Sequence, residues 1–252
     1  MASTLIVDQL QKTGGSTTAL TLPTSNASAS EFLQNDGAGA LSWASADAGF
    51  IKYTVYTGGA TWNKSTNSPT KVVVEVQGGG GSSGSGDVDW SYGGSGGSGG
   101  YARKFIDVSS ISSATIVVGA GGVKNAGTSA GDSSWSDGTN TLTGGAGGNG
   151  TNGVHPSPEH GTGGLGGTAS GGDINIPGSS GCKGQTANRG QTQGSYLSTG
   201  GSGTVLQRTA LDYGAASAGT AYGGGAGAGG GNNAAVDGAD GGVGVVIVWE
   251  YK

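Results

Sequence analysis

The sequence predicts an all-β protein in which strands near both ends of the chain close a small β-module around a glycine-rich insertion. Helical periodicity is nearly absent, whereas the alternation typical of half-buried strands recurs in several stretches. Glycine supplies 59 of the 252 residues, and charged residues supply only 11%. An average globular protein has about 7% glycine and about 25% charged residues. The composition therefore points to an unusual all-β architecture with almost no helix.

The strand predictions rest on apolar residues at every second position. In KVVVEVQ, Val72, Val74 and Val76 share one face, opposite Lys71 and Glu75. The same alternation predicts these further groups on single faces: Ile51, Tyr53 and Val55; Ala114, Ile116 and Val118; and Val245, Ile247, Trp249 and Tyr251 opposite Val246, Val248 and Glu250. We expect KVVVEV to pair with VVIVWEY. The N-side strands (51–77) and the C-terminal strand (243–251) would then close the module, and the glycine-rich insertion 78–242 would lie between them.

The chain divides by composition near residue 48. Residues 1–48 are rich in Ser, Thr and Ala, with only short apolar stretches, and cannot bury a core alone. We predict that 1–48 is an attachment arm, which docks on a neighbouring subunit or on another protein. Residues 49–252 form the glycine-rich β domain.

The glycine tracts allow two interpretations. They are either flexible loops or extended polyglycine segments, similar to polyproline II, that pack side by side. Low charge and only 5 prolines set the chain apart from ordinary disordered segments and from collagen. Apolar strands such as YARKFIDV recur between the tracts, which favours ordered packing.

Order in so much glycine is costly. Each glycine fixed in a regular element costs roughly 0.5–1 kcal/mol more than alanine would, or on the order of tens of kcal/mol over the chain. Hydrophobic residues, at 33%, leave a thin core to offset that cost. We therefore expect backbone hydrogen bonds and an obligate homo-oligomer to supply the remainder.

Several function classes are disfavoured by the residues present. A net charge of −5 argues against a nucleic-acid surface. Matches to GxGxxG follow no strand and open no helix, so they predict no dinucleotide site. In VHPSPEH, His155 and His160 are the candidate metal ligands, but their spacing fits no common zinc site and a surface loop is expected instead. We predict no enzyme activity, catalytic residue or cofactor.

Aromatic residues in the glycine-rich region are the candidate binding residues. They stand in short polar inserts, where a ring can stack on a sugar or anchor a protein interface. The alternative is that each ring caps a thin core. The candidates are Trp90, Tyr92, Trp135, Tyr196 and Tyr222.

Two stretches resemble proteins of bacteriophage tails. LTLPTSNASASEFLQNDGAGALSWAS is similar to a segment common in tail-fibre and virion appendage proteins. IKYTVYTGGATWNKSTNSPTKVVVEVQGGGGSSG, with GGYARKFIDVSS, ATIVVGAGG, SGGDINIPG and VGVVIVWEY, resembles the glycine-rich domain of phage tail proteins. The resemblance covers most of the chain.

That resemblance implies a structural virion protein, assembled in the host cytoplasm, that forms a homotrimer and contacts the host surface. The single cysteine, Cys182, suits assembly in a reducing compartment. Residues 1–48 would be the attachment and trimerisation arm and would bind other virion proteins. The aromatic inserts would bind a host-surface glycan or outer-membrane protein. The alternative is a structural component without a receptor, such as a head fibre, a decoration protein or a connector.

Overall fold

The computed structural model describes residues 9–10, 20–28, 31–35, 40–45, 49–87, 91–154, 160–184, 216–230 and 235–252. Throughout these ranges the secondary structure is β, without a helix, which confirms the all-β prediction. The strands are β1 (Gln9–Leu10), β2 (Leu20–Thr21), β3 (Glu31–Asn35), β4 (Leu41–Ser45), β5 (Phe50–Tyr56), β6 (Ala60–Asn63), β7 (Lys71–Gln77), β8 (Tyr101–Asp107), β9 (Ser113–Val117), β10 (Ser133–Ser136), β11 (Thr141–Gly144), β12 (Ala169–Ser170), β13 (Ile174–Ile176) and β14 (Val245–Tyr251).

The chain separates into two compact units. The first comprises Met1–Phe50 together with Lys252, and the second comprises Ile51–Tyr251. In the first unit, β3 pairs with β4 and β1 pairs with β2, both antiparallel. The Trp43 indole donates a hydrogen bond to the backbone oxygen of Ser25. Docking of the 1–48 arm on another protein stays a prediction.

The second unit contains two five-stranded sheets. Sheet I has the strand order β13-β8-β7-β14-β5, and sheet II has the order β12-β11-β10-β9-β6. β7 and β14 are antiparallel neighbours, in register from the Lys71–Tyr251 pair to the Gln77–Val245 pair. The predicted pairing of KVVVEV with VVIVWEY is thus confirmed.

One apolar core lies between sheets I and II. Alternation in β7 buries Val72, Val74 and Val76 completely, as the sequence predicts. Two indoles fill the centre, with the Trp62 and Trp135 ring centroids 6.4 Å apart. The buried residues of this core are Trp62, Val72, Val74, Val76, Ala102, Ile106, Val108, Ala114, Ile116, Trp135, Leu142, Val246 and Val248.

A carboxylate closes one side of the core. Glu250 is 1% exposed and accepts hydrogen bonds from the Trp62 indole nitrogen (2.9 Å) and the Ser65 hydroxyl (2.7 Å). The Lys52 ammonium lies 3.8 Å from the same carboxylate. These partners compensate the cost of burying a charge in an apolar sandwich.

The glycine-rich stretches leave sheets I and II as long connections between strands. Residues 78–100 join β7 to β8, 145–168 join β11 to β12, and 177–244 join β13 to β14. The ends of the first and third connections adjoin one row of paired residues in sheet I: Ile176, Tyr101, Gln77 and Val245. A hydrogen bond from the Gly100 amide to the Gly145 oxygen places the second connection beside them. All three therefore extend from the same end of the sandwich.

Extended segments of these connections, with one from the connection between β9 and β10, pack side by side into what we call the glycine lattice. Its described segments are g1 (78–86), g2 (92–100), g3 (119–122), g4 (145–153), g5 (161–168), g6 (178–184), g7 (216–220), g8 (223–230) and g9 (235–244). Each segment is joined to its neighbours by backbone hydrogen bonds. The polyglycine interpretation of the sequence is therefore confirmed for these residues.

The hydrogen bonds of g1 show why the lattice forms. Its amides donate in three directions, and each direction recurs at every third residue. Toward g9 the donors are the amides of Gly80, Ser83 and Gly86. In another direction, the amides of Ser82 and Ser85 donate to the side-chain oxygens of Asn149 and Asn152. Toward g2 the pairs are Gly78 with Gly100, Gly81 with Gly97, and Gly84 with Gly94. Three residues per turn is the period of polyproline II, whose amides have no partner within their own helix.

Close approach of backbones explains the demand for glycine. A Cβ atom added to Gly96 would lie 2.0 Å from the oxygen of Gly81, and one added to Gly80 would lie 2.0 Å from the oxygen of Gly224. Some glycines outside the lattice differ: nothing lies within 4 Å of a Cβ placed at Gly58. Within the lattice, a side chain would occupy the space that a neighbouring carbonyl already fills.

Candidate functional site

The end of the glycine lattice farthest from the two sheets is the candidate functional site, which we call the tip. Backbone hydrogen bonds set five segments level with one another there. The amide of Gly153 donates to Ser85, the amide of Gly161 donates to Tyr92, and the amide of Gly184 donates to Gly161. Two antiparallel β-bridges, Gly86 with Val236 and Tyr92 with Gly230, join segments g9 and g8 to this group. The described segments therefore end beside one another at the tip, some parallel and some antiparallel to their neighbours.

Four connections begin and end at or beside described residues of the tip. They follow g1, g4, g6 and g8, and they span 87–91, 154–160, 185–215 and 231–234. Three of them contain or adjoin candidate residues, since Trp90 and Tyr92 mark the first, His155 and His160 lie in the second, and Tyr196 lies in the third. Trp90, His155 and Tyr196 themselves fall outside the described residues.

Tyr92 is placed at the tip but is largely buried. It is only 6% exposed, and a Cβ added to Gly230 would lie 2.3 Å from its ring. Its ring centroid lies 5.5 Å from that of His160. Glycine at 230 thus makes room for the tyrosine ring, and Tyr92 packs within the tip instead of presenting a broad surface.

Trp135 is a core residue, which corrects its interpretation as a receptor contact. It is fully buried in β10 and packs against Trp62 between sheets I and II. An external ligand cannot reach it in this fold. The core-capping alternative describes Trp135 better.

Tyr222 lies at the opposite end of the glycine lattice from the tip. It is half-buried in the turn that precedes Gly223, whose amide donates to the oxygen of Val243. Tyr222 and Tyr92 are therefore not brought together into one contact surface.

A polar groove on the side of the lattice was not predicted from the sequence. It is a cavity of about 270 Å³ between g1, g4 and the loop that follows g3. Its lining includes Asn149 and Asn152, whose side-chain oxygens accept from the Ser82 and Ser85 amides at 2.9 and 2.8 Å. The two asparagines of NGTN are three residues apart, which matches the period of the lattice. This spacing could have identified them in the sequence as acceptors for lattice amides.

Two acidic side chains have lowered pKa values, both because of turn hydrogen bonds. The side chain and backbone of Ser109 lower the pKa of the Asp107 carboxyl. Burial by itself raises the pKa of Asp137, but hydrogen bonds from Asn140 and Thr139 outweigh burial and hold that pKa below its ordinary value. Neither carboxyl belongs to the tip, and their environments are those of structural turns.

The described ranges show neither a metal-binding cluster nor a membrane-spanning helix. No group of three or more His, Cys, Asp or Glu side chains there is arranged to hold a metal ion. His160 is described, but its companion His155 is not, so the pair stays untested as a metal site. The described residues also contain no helix with the length and apolar character needed to cross a bilayer.

Comparison with known proteins found no matching family and no similar curated protein. The resemblance to glycine-rich phage tail proteins therefore stays a prediction from the sequence.

Proposed function

We propose that this protein is a structural subunit of a bacteriophage virion, of the tail-fibre or adhesin type, and that it contacts the host surface through the tip. It would act by binding alone, without catalysis or a cofactor. Attachment to the particle would use residues 1–48. The bound group would be a glycan or an outer-membrane protein of the host.

The observation that carries this proposal is the place where several connections of the second unit begin and end. Many positions of the glycine lattice carry no side chain, because backbone packing requires glycine there. The aromatic candidates Trp90 and Tyr196 belong to connections that begin and end at or beside the tip. Binding residues are commonly carried by loops on a rigid scaffold, which supports the proposal.

Adsorption competition tests the proposal. Purified protein is added to host cells before the phage, and the fraction of unadsorbed phage is measured. We expect the wild-type protein to bind the cells and to slow adsorption, whereas a variant with Trp90→Ala and Tyr196→Ala should bind less. Leu165→Ala is the matched control, because Leu165 is 75% exposed on g5 and away from the tip.

The alternative is a virion component without a receptor. It predicts that labelled protein binds no host cells, that adsorption is unchanged, and that antibodies to the protein still label the particle in electron micrographs. That combination would reject the adhesin proposal and retain a structural role. Release of reducing sugar from host polysaccharide would contradict both.

A further inference from the structure

The outer face of sheet I, which points away from sheet II, carries a row of large apolar side chains. Register places Phe105, Val73 and Trp249 directly opposite one another on β8, β7 and β14. Tyr53 of β5 extends the row, with its ring centroid 5.0 Å from that of Trp249. Phe105 is 52% exposed and Tyr53 is 57% exposed. Contiguous exposed apolar surface of this kind marks an interaction site.

Charged residues flank this row in an ordered way. On one side, Asp107 pairs with Lys71 across β8 and β7. On the other side, Arg103 pairs with Glu75, and their side chains form an ion pair of 3.7 Å. Along β8 the order is therefore negative, aromatic, positive, and along β7 it is positive, apolar, negative.

We propose that this face docks on the same face of a second copy of the chain, about a two-fold axis that runs along the apolar row. Rotation about that axis places each strand opposite the same strand of the second copy, and the two strands run in opposite directions. Asp107 then faces Arg103 of the second copy, and Lys71 faces Glu75 of the second copy. Phe105, at the centre of β8, meets its own equivalent.

The charge order is what selects a second copy over an unrelated partner. A two-fold contact must be self-complementary, because one patch serves both subunits. Here a single rotation places every one of the four charges opposite its counter-charge. Chemistry for an unrelated protein would not require this symmetry.

The area available is enough for a small specific interface. β5, β7, β8 and β14 have seven residues each. With a spacing of about 4.8 Å between strands and about 3.3 Å per residue, the four strands with short β13 present roughly 500 Å² per copy. The pair would bury about 1,000 Å² or more, which is near the lower limit for a stable specific contact.

The first test measures the mass of the full-length protein in solution by light scattering, with sedimentation to obtain the dissociation constant. We expect an even multiple of the 24.0 kDa chain. Phe105→Asp should raise the dissociation constant of the pair at least about tenfold, because it places a carboxylate in the centre of the contact. Leu165→Asp, on exposed g5, is the matched control and should leave it unchanged.

A monomer, an odd multiple such as the trimer suggested by the resemblance, or equal effects of Phe105→Asp and Leu165→Asp would overturn the proposal. Circular dichroism of each variant checks that the strands are intact. Because Phe105 is half exposed, its substitution is not expected to unfold the domain.

A charge reversal tests the two-fold geometry itself. The quadruple variant Asp107→Arg, Lys71→Glu, Arg103→Asp and Glu75→Lys keeps opposite charges together both within a chain and across the proposed axis. We expect it to pair with itself about as tightly as the wild type does, but to exclude wild-type chains, because the mixed pair aligns like charges. Statistical mixing of tagged wild-type and reversed chains would overturn the two-fold geometry.

Discussion

Adding one methyl group at the centre of the glycine lattice should destabilise the whole second unit. In Gly96→Ala the new Cβ would lie 2.0 Å from the oxygen of Gly81, whereas ordinary contact begins at 3.4 Å. The two segments must therefore separate by more than 1 Å, which costs about 1–3 kcal/mol as overpacking. The shift also strains the hydrogen bonds from Gly81 to Gly97 (2.8 Å) and from Gly96 to Ala226 (2.9 Å).

Those two hydrogen bonds contribute about 1 kcal/mol each, so the expected loss is about 3–5 kcal/mol in the free energy of unfolding. Domains of ordinary stability have only about 5–15 kcal/mol to lose. Urea denaturation followed by tryptophan fluorescence measures the loss, because Trp62 and Trp135 lie in the sandwich core. Hydrogen exchange of peptides from 78–100 reports on the lattice separately.

Gly58→Ala is the matched control, since a Cβ there has nothing within 4 Å. It should change stability by about 0.5 kcal/mol or less. If Gly96→Ala shifted the urea midpoint no more than Gly58→Ala does, and if 78–100 exchanged as fast as a free chain in both, close backbone packing would be the wrong explanation for the glycines.

Three further outcomes are expected. Trp135→Ala should cost about 3–5 kcal/mol of stability, measured by urea denaturation, because it empties the core; an unchanged midpoint would restore Trp135 as a surface candidate. Asn149→Ala leaves the Ser82 amide without its acceptor and should cost about 1–3 kcal/mol and speed exchange at that amide, whereas the exposed Asn63→Ala should not. The lowered pKa of Asp137 means that its ionised form adds stability above its unfolded pKa and that this contribution is lost as pH falls through the folded value. Wild type should therefore lose more stability than Asp137→Asn between pH 7 and about pH 2.5, and parallel curves would contradict this.

Alternation was enough to predict the sheet I pairing. Val72, Val74 and Val76 are buried as their spacing indicates, and β14 pairs with β7 although about 170 residues separate them in sequence. The shared face predicted for Tyr53 and its β5 neighbours is consistent with the contact between Tyr53 and Trp249. Such patterns are readable because burial repeats with the strand period of two.

Composition could not predict which segments of the lattice pack beside one another. A run of glycine shows that backbones can approach closely, but it carries no side chain that selects which segment packs on which. The exceptions are residues such as Asn149 and Asn152, whose spacing of three matches the lattice and whose oxygens replace backbone acceptors.

Trp135 shows the limit of local context. It stands among serines in DSSWSD, which is typical of an exposed insert, yet β10 pairs with β9 and thereby brings the indole onto Trp62. A residue about 70 positions away decides its burial. Tyr92 is similar, because Gly230 makes the space for its ring. Local polarity therefore overestimated how many aromatic residues are exposed.

The glycine lattice also has a consequence for how stability depends on temperature. Ordinary domains gain heat capacity on unfolding, about 12–15 cal/mol/K per residue, because apolar surface becomes hydrated. The lattice buries peptide groups against peptide groups, and hydration of polar surface lowers the heat capacity instead. The heat-capacity change per residue of this chain should thus fall below the usual range, and its free energy of unfolding should vary less steeply on either side of its maximum. A lattice held by amides is consequently suited to keep its shape over a wide span of temperatures, including cold ones at which apolar cores weaken.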